Sequence, residues 1–430
     1  MPVVAHQRER DQPHAEAPDR FLENVKKRPV ISLLLEDGLL PITAIDNVVN
    51  TAWSCVATRS GHVILACNAV NRRAVRYDRR MAVSPRVGIV GGGIIGCAIA
   101  YELADRGAAV TVFDARAVAG GATQASAGIL APYIEGHEGG ALFDLAVSGL
   151  AEYDAFVARV RSATDVPFEY RRIGTMEVAN TPDRAATLRA RVSARWAAAA
   201  GLRWLDPREL RQAAPFVQSD CVGALTCSAH GYVSVLTFTE ALADAAGRRE
   251  ARIHTSTPVD RIEIESEAVV VHAAKQSHHF DRVVICAGAW TPSIDPFDAT
   301  TDRIKPIRGQ LVRLQTTVVI PQILWSQGCY LVPWTDGTVL VGATSEDVGF
   351  DERATSSGVR SLLDAAEALV PELSSATFMD VRVGLRPGSS DGLPLLGPAT
   401  NPRVLYATGH FRNGVLLAPL TARLIADYVF

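Results

Sequence analysis

Apolar residues recur along this chain in two rhythms. Arg86–Val90 and Val110–Phe113 are short, nearly continuous apolar runs, as expected of strands buried on both faces. Between them, Ile94–Asp105 places apolar residues at helical spacing, and Arg106-Gly107 supplies the stop. Strand, helix and strand in this order predict a βαβ unit. Helical spacing returns in Glu152–Asp165, Arg184–Ala200, Thr237–Gly247 and Val415–Tyr428, and short apolar strands recur at Val283–Ile285 and Val404–Ala407. Gln310–Leu314, Tyr330–Pro333 and Thr338–Val341 instead alternate, the pattern of antiparallel strands with one buried face. The expected fold is α/β: a Rossmann-like unit joined to a second, mainly antiparallel-sheet (α+β) unit.

The turn after Val90 carries Gly91, Gly93 and Gly96 in the G-x-G-x-x-G arrangement. The first glycine lets the strand turn sharply, the second lets the backbone approach a pyrophosphate, and the third lets the helix pack close to the strands. Free N–H groups at the helix start, around Ile94 and Ile95, then face the phosphates, aided by the helix dipole. Asp114, followed by Ala115, lies about 20 residues on, where a carboxylate accepts hydrogen bonds from an adenosine ribose. The combination predicts dinucleotide binding.

Composition narrows the class. The 430 residues are 48% hydrophobic and 21% charged, with a formal net charge of −3, so no basic field points to nucleic acid. No apolar run approaches the ~18 residues of a membrane helix. Seven cysteines (55, 67, 97, 221, 227, 286 and 329) are dispersed with no C-x-x-C pair, which argues for reduced thiols in a cytoplasm and against a metal site. The first 80 residues stand apart. Met1–Lys27 is polar, Arg28–Asn71 has no clean periodicity, and five arginines crowd the approach to Met81. Three readings stand for this extension: a disordered tail, a small appended domain, or translated upstream sequence with the true start at Met81.

The glycine fingerprint serves flavin and nicotinamide alike, so later segments decide. Val118–Pro132 is rich in small residues, among them Ala122, Thr123, Ala127, Gly128 and Ile129. Such a loop can track the second phosphate and the ribityl chain of FAD, with Thr123 and Ser126 as donors. Val259 offers an apolar surface to adenine, and Gly288, after Val283–Ile285, gives a tight turn near the dinucleotide. A third strand-to-helix turn, His410-Phe411-Arg412-Asn413-Gly414 leading into Val415 and Leu416, would aim its N–H groups at the flavin edge that becomes anionic on reduction.

Five segments, Val87–Asp114, Gly120–Pro132, Tyr330–Asp351, Gly384–Pro398 and Leu405–Ala422, resemble the D-amino-acid-oxidase group of flavoproteins. Within that group they resemble the glycine oxidases of bacterial thiamine biosynthesis. The resemblance covers Arg86–Phe430 and none of the first 80 residues. It implies FAD as cofactor and oxidative deamination of glycine, sarcosine and small D-amino acids. Hydride would pass from Cα to flavin N5 and then to O2, giving an imine or glyoxylate, ammonia and hydrogen peroxide. It also implies Arg386 as bidentate clamp of the substrate carboxylate and Tyr330 as a second carboxylate contact. Arg412 is placed near flavin and substrate, either as a contact or as a loop-holding residue. His410 reads as a loop and cofactor contact rather than an acid–base group. The family pattern carries a histidine where this chain has Gly328 and a methionine where it has Ser345, so pocket size is open to change.

Segment order gives the expected domains: the extension 1–80; a discontinuous FAD-binding domain of 81–159, 216–290 and 380–430; and a substrate domain of 160–215 and 291–379. The expected partners are a small amino acid, O2, the thiazole-forming synthase and further copies of the chain, with neither nucleic acid nor membrane. Two alternatives stand beside the oxidase: a D-amino-acid dehydrogenase that uses a quinone, and a flavin-bearing subunit without turnover.

Overall fold

The computed structural model describes residues 84–134, 139–194, 196–294 and 299–430, together with the backbone of two earlier strands. The chain divides into two compact units, Met1–Val75 and Arg76–Phe430. In the first, Trp53–Ala57 and Val63–Cys67 pair antiparallel, from Trp53↔Cys67 to Ala57↔Val63. The expectations for the rest of the extension lie outside the described residues.

The second unit is built on two sheets. The first has six strands in the order Arg252–His254, Ala109–Phe113, Arg86–Val90, Arg282–Ile285, Val404–Thr408, Leu395–Pro398, and only the last runs antiparallel to its neighbour. The central strands are buried on both faces, which is why they read as continuous apolar runs. The helices Ile94–Asp105, Val235–Gly247 and Gly414–Val429 cover one face, and Ala141–Arg161 packs behind them. On the other face Phe113, Val283, Ile285 and Tyr406 pack against a three-stranded antiparallel sheet, Val259–Ile264, Val269–Ala273 and Gln276–Phe280. Sequence and structure agree on the βαβ unit and on the Rossmann-like class.

The second sheet has eight strands: Thr377–Ser389, Ile304–Gln315, Thr338–Gly342, Tyr330–Pro333, Ile323–Trp325, Thr175–Ala179, Gly223–Cys227 and Leu202–Leu205. All neighbours are antiparallel except Ile323–Trp325 with Thr175–Ala179. One face carries the helix Ser356–Leu369 over Val312, Val341 and Leu331. The opposite face turns Tyr330, Gly342, Gly309, Gly384 and Arg386 the same way, since Tyr330↔Gly342, Gly342↔Leu311 and Gly309↔Gly384 are in register.

Three expectations need correction. Gly223–Cys227 and Thr377–Ser389 are hydrogen-bonded into the eight-stranded sheet, although segment order put 216–290 and 380–430 with the cofactor fold. The reason is a ladder running from Ile304↔Ser389 to Gln315↔Thr377, a pairing between segments remote in sequence that no local pattern reveals. The helix expected over Arg184–Ala200 covers only Pro182–Arg191, capped by the Thr181 hydroxyl accepting from Arg184 N at 3.3 Å, and gives way to tight turns. The helix expected from Glu152 begins at Ala141 and ends at Arg161.

Candidate active site

The glycine fingerprint takes up the conformation its spacing requires. Gly91 has φ +112°, and a Cβ there would lie 2.4 Å from the Cys286 carbonyl oxygen. A Cβ on Gly96 would lie 1.9 Å from the Gly91 carbonyl oxygen, so only glycine lets the helix start against the turn. At Gly93 the nearest atom to such a Cβ is Thr123 Oγ1, at 3.1 Å, and the residue faces a cavity. Thr123 Oγ1 accepts from Ile94 N at 3.1 Å, which leaves its own O–H to donate. Asp114 ties the turn to the following loop: its carboxylate accepts from Gly92 N at 2.5 Å and from Arg116 N at 2.7 Å. A carboxylate has about four lone-pair sites, so room remains for ribose hydroxyls.

The cavity has a volume of 520 Å³ and lies between the two sheets of the second unit. Gly91, Gly93, Ile94, Ile95, Asp114 and Ala115 line it from the fingerprint side. Ala122, Thr123, Ala127, Gly128 and Ile129 line it from the small-residue loop, and Val259 and Gly288 from the middle of the chain. His410, Phe411, Arg412, Gly414 and Val415 close the C-terminal side. Gly96, Asn413 and Leu416 are set back from the wall. Asn413 is buried, and its N–H donates to the His410 carbonyl at 2.8 Å.

Arg386 and Tyr330, 56 positions apart, line the same cavity from the sheet face. The Arg386 guanidinium lies over Gly309, where a Cβ would fall 2.3 to 2.4 Å from its three terminal atoms. Its Nη1 donates to the Thr344 carbonyl at 2.9 Å and reaches the Arg308 carbonyl at 3.5 Å. The Tyr330 ring lies over Gly342 in the same way, with a Cβ there 2.4 Å from the hydroxyl oxygen. Trp325 packs on Tyr330, ring centroids 5.3 Å apart. A third glycine, Gly384, lets the cofactor loop touch this face: a Cβ on it would lie 2.9 Å from Ala125 Cβ and 3.1 Å from Ala122 Cα. Gln124 Nε2 adds a hydrogen bond to the Val383 carbonyl at 3.2 Å.

His410 and Cys329 are poor proton carriers. Burial pushes His410 down to about 3, so the imidazole is neutral, with Nε2 3.1 Å from Thr421 Oγ1. Burial pushes the Cys329 thiol at the cavity wall up to about 11. Arg412 is exposed, on a loop whose Phe411 has φ +48° and donates its N–H to the Pro387 carbonyl at 3.0 Å. Behind the sheet, Arg308 pairs with Glu346 at 2.5 Å. Burial pushes the Glu346 carboxyl up, but hydrogen bonds from Arg308, Thr344 and Gln310 outweigh it and hold the group at about 2.

Sequence reading did not single out Gly309 or Arg116, and it took Gly342 and Thr344 only as part of the family-like segment Tyr330–Asp351. A signal existed for the two glycines. Each interrupts a strand pattern, which marks a site where another group approaches the backbone closely.

Residues 86–428 match the family model described as FAD dependent oxidoreductase. The glycine oxidase of Geobacillus kaustophilus is 33% identical over 358 residues, covering 82% of this chain and 93% of that protein. The bifunctional protein ThiO/ThiG of a Nostoc species is 31% identical over 347 residues, 79% of this chain and 52% of that one, so the chain spans about half its length. The crystal structure of glycine oxidase from Geobacillus kaustophilus superposes with a TM-score of 0.76 at 32% identity, covering 80% of this chain and 95% of that one. A glycine cradle that no other residue fits, a cavity lined by both Asp114 and Arg386, and a family match over nearly the whole second unit converge: the chain belongs to the FAD-dependent oxidoreductases of the D-amino-acid-oxidase family and is an enzyme that uses FAD.

Proposed function

We propose that this enzyme oxidises glycine, and with it sarcosine and small D-amino acids, using O2 as electron acceptor. Arg386 carries the reading. A guanidinium seated over Gly309, with Nη1 donating to the Thr344 carbonyl, brings to the cavity wall the planar donor set that pairs with a carboxylate. Tyr330, held over Gly342, supplies a hydroxyl on the same face. The names of the relatives support glycine as the substrate.

Bound FAD supplies the hydride acceptor. The chain's residues supply position: Arg386 and Tyr330 hold the acid end of the amino acid so that its α-carbon faces the cofactor cleft. Neither His410 nor Cys329 is poised to accept a proton at neutral pH. The amine therefore enters neutral, and the rate rises with pH through the ionisation of the bound amine. Gly328 and Ser345 keep the adjoining wall small and exposed, with room for the N-methyl group of sarcosine. The fused architecture of the Nostoc relative supports delivery of the imine to a thiazole-forming synthase.

Anaerobic glycine should bleach the flavin of the purified protein, and air should then restore it with one hydrogen peroxide per glycine consumed. Bleaching without peroxide, with turnover only on addition of a quinone or dye, would reassign the acceptor. No bleaching by any small amino acid would remove the reading.

A further inference from the structure

Just after Ser345 the chain leaves the eight-stranded sheet and forms a loop whose base is closed by one side chain. Arg308, 4% exposed, pairs with Glu346 at 2.5 Å and with Asp351 at 3.0 Å, and donates to the Arg353 carbonyl at 3.2 Å. With both ends gripped, Asp347–Phe350 projects as an exposed tip, and Gly349 turns it at φ +63°. The tip does not end in solvent. Phe350, although 51% exposed, sets its ring 5.8 Å from Trp290. The Arg116 guanidinium sits 4.6 Å from the Trp290 ring centre, and Glu352 holds it with two bonds of 2.9 and 2.6 Å. Arg116 also donates to the Gly120 carbonyl at 3.1 Å.

These contacts tie the loop to two residues of the cavity wall. Trp290 and Arg116 line it, and Arg116 stands two residues after Asp114, whose carboxylate ties down the glycine turn. Glu352 comes from the other sheet's loop, 236 positions away in the chain. We propose that residues 346–353 form a strap that retains FAD, with the Arg116–Glu352 pair as its catch, Phe350 on Trp290 as its pad and Arg308 as its anchor. The catch is 39% and 30% exposed, so its direct effect on stability is small. Its geometry is nonetheless bidentate and stacked on an indole, which favours a long-lived closed arrangement. The function served is cofactor residence time, and it is independent of which amino acid the enzyme oxidises.

The test needs no substrate. Holoenzyme is diluted, and the fluorescence of liberated FAD gives the release rate. Glu352→Gln removes the catch and Phe350→Ser removes the pad; each should speed release about tenfold, the scale of a bidentate charged pair and of an aromatic pair respectively. Thermal unfolding of the FAD-free proteins should be unchanged, because Phe350 and Glu352 lie outside the core. Asp427→Asn, which cuts surface pairs to Arg106 at 2.7 Å and to Arg423 at 3.1 Å, none of them residues of the cavity wall, should leave release as in the wild type. Release within twofold of the wild type in both strap variants would overturn the proposal. So would equal acceleration by Asp427→Asn, or a fall in apoprotein melting temperature that matches the faster release.

Discussion

The Arg386 guanidinium occupies the space that a side chain at Gly309 would fill: a Cβ there would stand 2.3 Å from Nη2 and 2.4 Å from Nη1. Arginine and glycine are adjacent across the ladder, where Ile307↔Arg386 and Gly309↔Gly384 are consecutive same-face pairs. Gly309→Ala should therefore lift the guanidinium off the sheet without breaking the strand. We expect KM for glycine to rise about tenfold or more with a smaller change in kcat, since a misplaced clamp loses a charged hydrogen bond of about 1.5–3 kcal/mol. Steady-state kinetics at saturating O2, with glycolate titrated against the flavin spectrum, would check this; unchanged glycolate affinity would mean the slot is incidental.

Arg386 itself separates charge from shape. Arg386→Lys keeps the charge and loses the fork, and should reduce kcat/KM by about 100-fold. Arg386→Ala should reduce it about 1000-fold or more, in line with 2–5 kcal/mol for truncating one partner of a buried charged pair. FAD content measured by absorbance should stay at the wild-type level in both. Turnover of the alanine variant at the wild-type rate would place the carboxylate elsewhere.

At the other end of the cavity, Gly96→Ala would put a methyl group 1.9 Å from the Gly91 carbonyl oxygen, so the turn or the helix must shift. Overpacking of this kind costs about 1–3 kcal/mol, and here the strain falls on the cradle for the pyrophosphate. The variant should purify pale, with FAD affinity at least tenfold weaker by equilibrium dialysis. A fully yellow protein with wild-type affinity would contradict the role given to this glycine.

Two buried imidazoles, His230 and His410, should make the fold sensitive to mild acid. Burial holds each at about 3 against an ordinary 6.5. Below pH 6.5 the unfolded chain binds protons at these positions and the folded chain does not, so stability falls as pH drops from about 6.5 towards 3. The slope reaches about 1.4 kcal/mol per pH unit for each histidine. Denaturant titrations at a series of pH values should show the slope fall by about 1.4 kcal/mol per pH unit when His230 alone is replaced by Gln. An unaltered slope would locate the acid sensitivity in other groups.

Glu346 acts lower on the pH scale. Its carboxyl is held at about 2 against an ordinary 4.5, so its contribution is present in full above pH 4.5 and is lost as pH falls towards 2. Glu346→Gln should lower stability at neutral pH, because the nearly buried Arg308 loses a charged partner, and should flatten the pH dependence in that acid window. Thermal melts at pH 7 and at pH 3 distinguish this from a uniform loss.

Much of the cofactor half of this enzyme is legible in about 30 consecutive residues, because its determinants are local. A buried strand, a helix with a glycine start and a second strand each have their own periodicity, and Gly91, Gly93, Gly96 and Asp114 act within one βαβ unit. That is why the dinucleotide fold follows from this stretch alone, while the choice of flavin over nicotinamide needed the later segments. The substrate face is different. Arg386 and Tyr330 share one sheet face only because the ladders Ile304–Gln315 with Thr377–Ser389, and Tyr330–Pro333 with Thr338–Gly342, settle in one register. A slip of one residue would turn each side chain away. Which groups come to rest on Gly309 and Gly342, and the catch that Glu352 offers Arg116, are decided only by chain closure over long separations, a property of packing that no local pattern encodes.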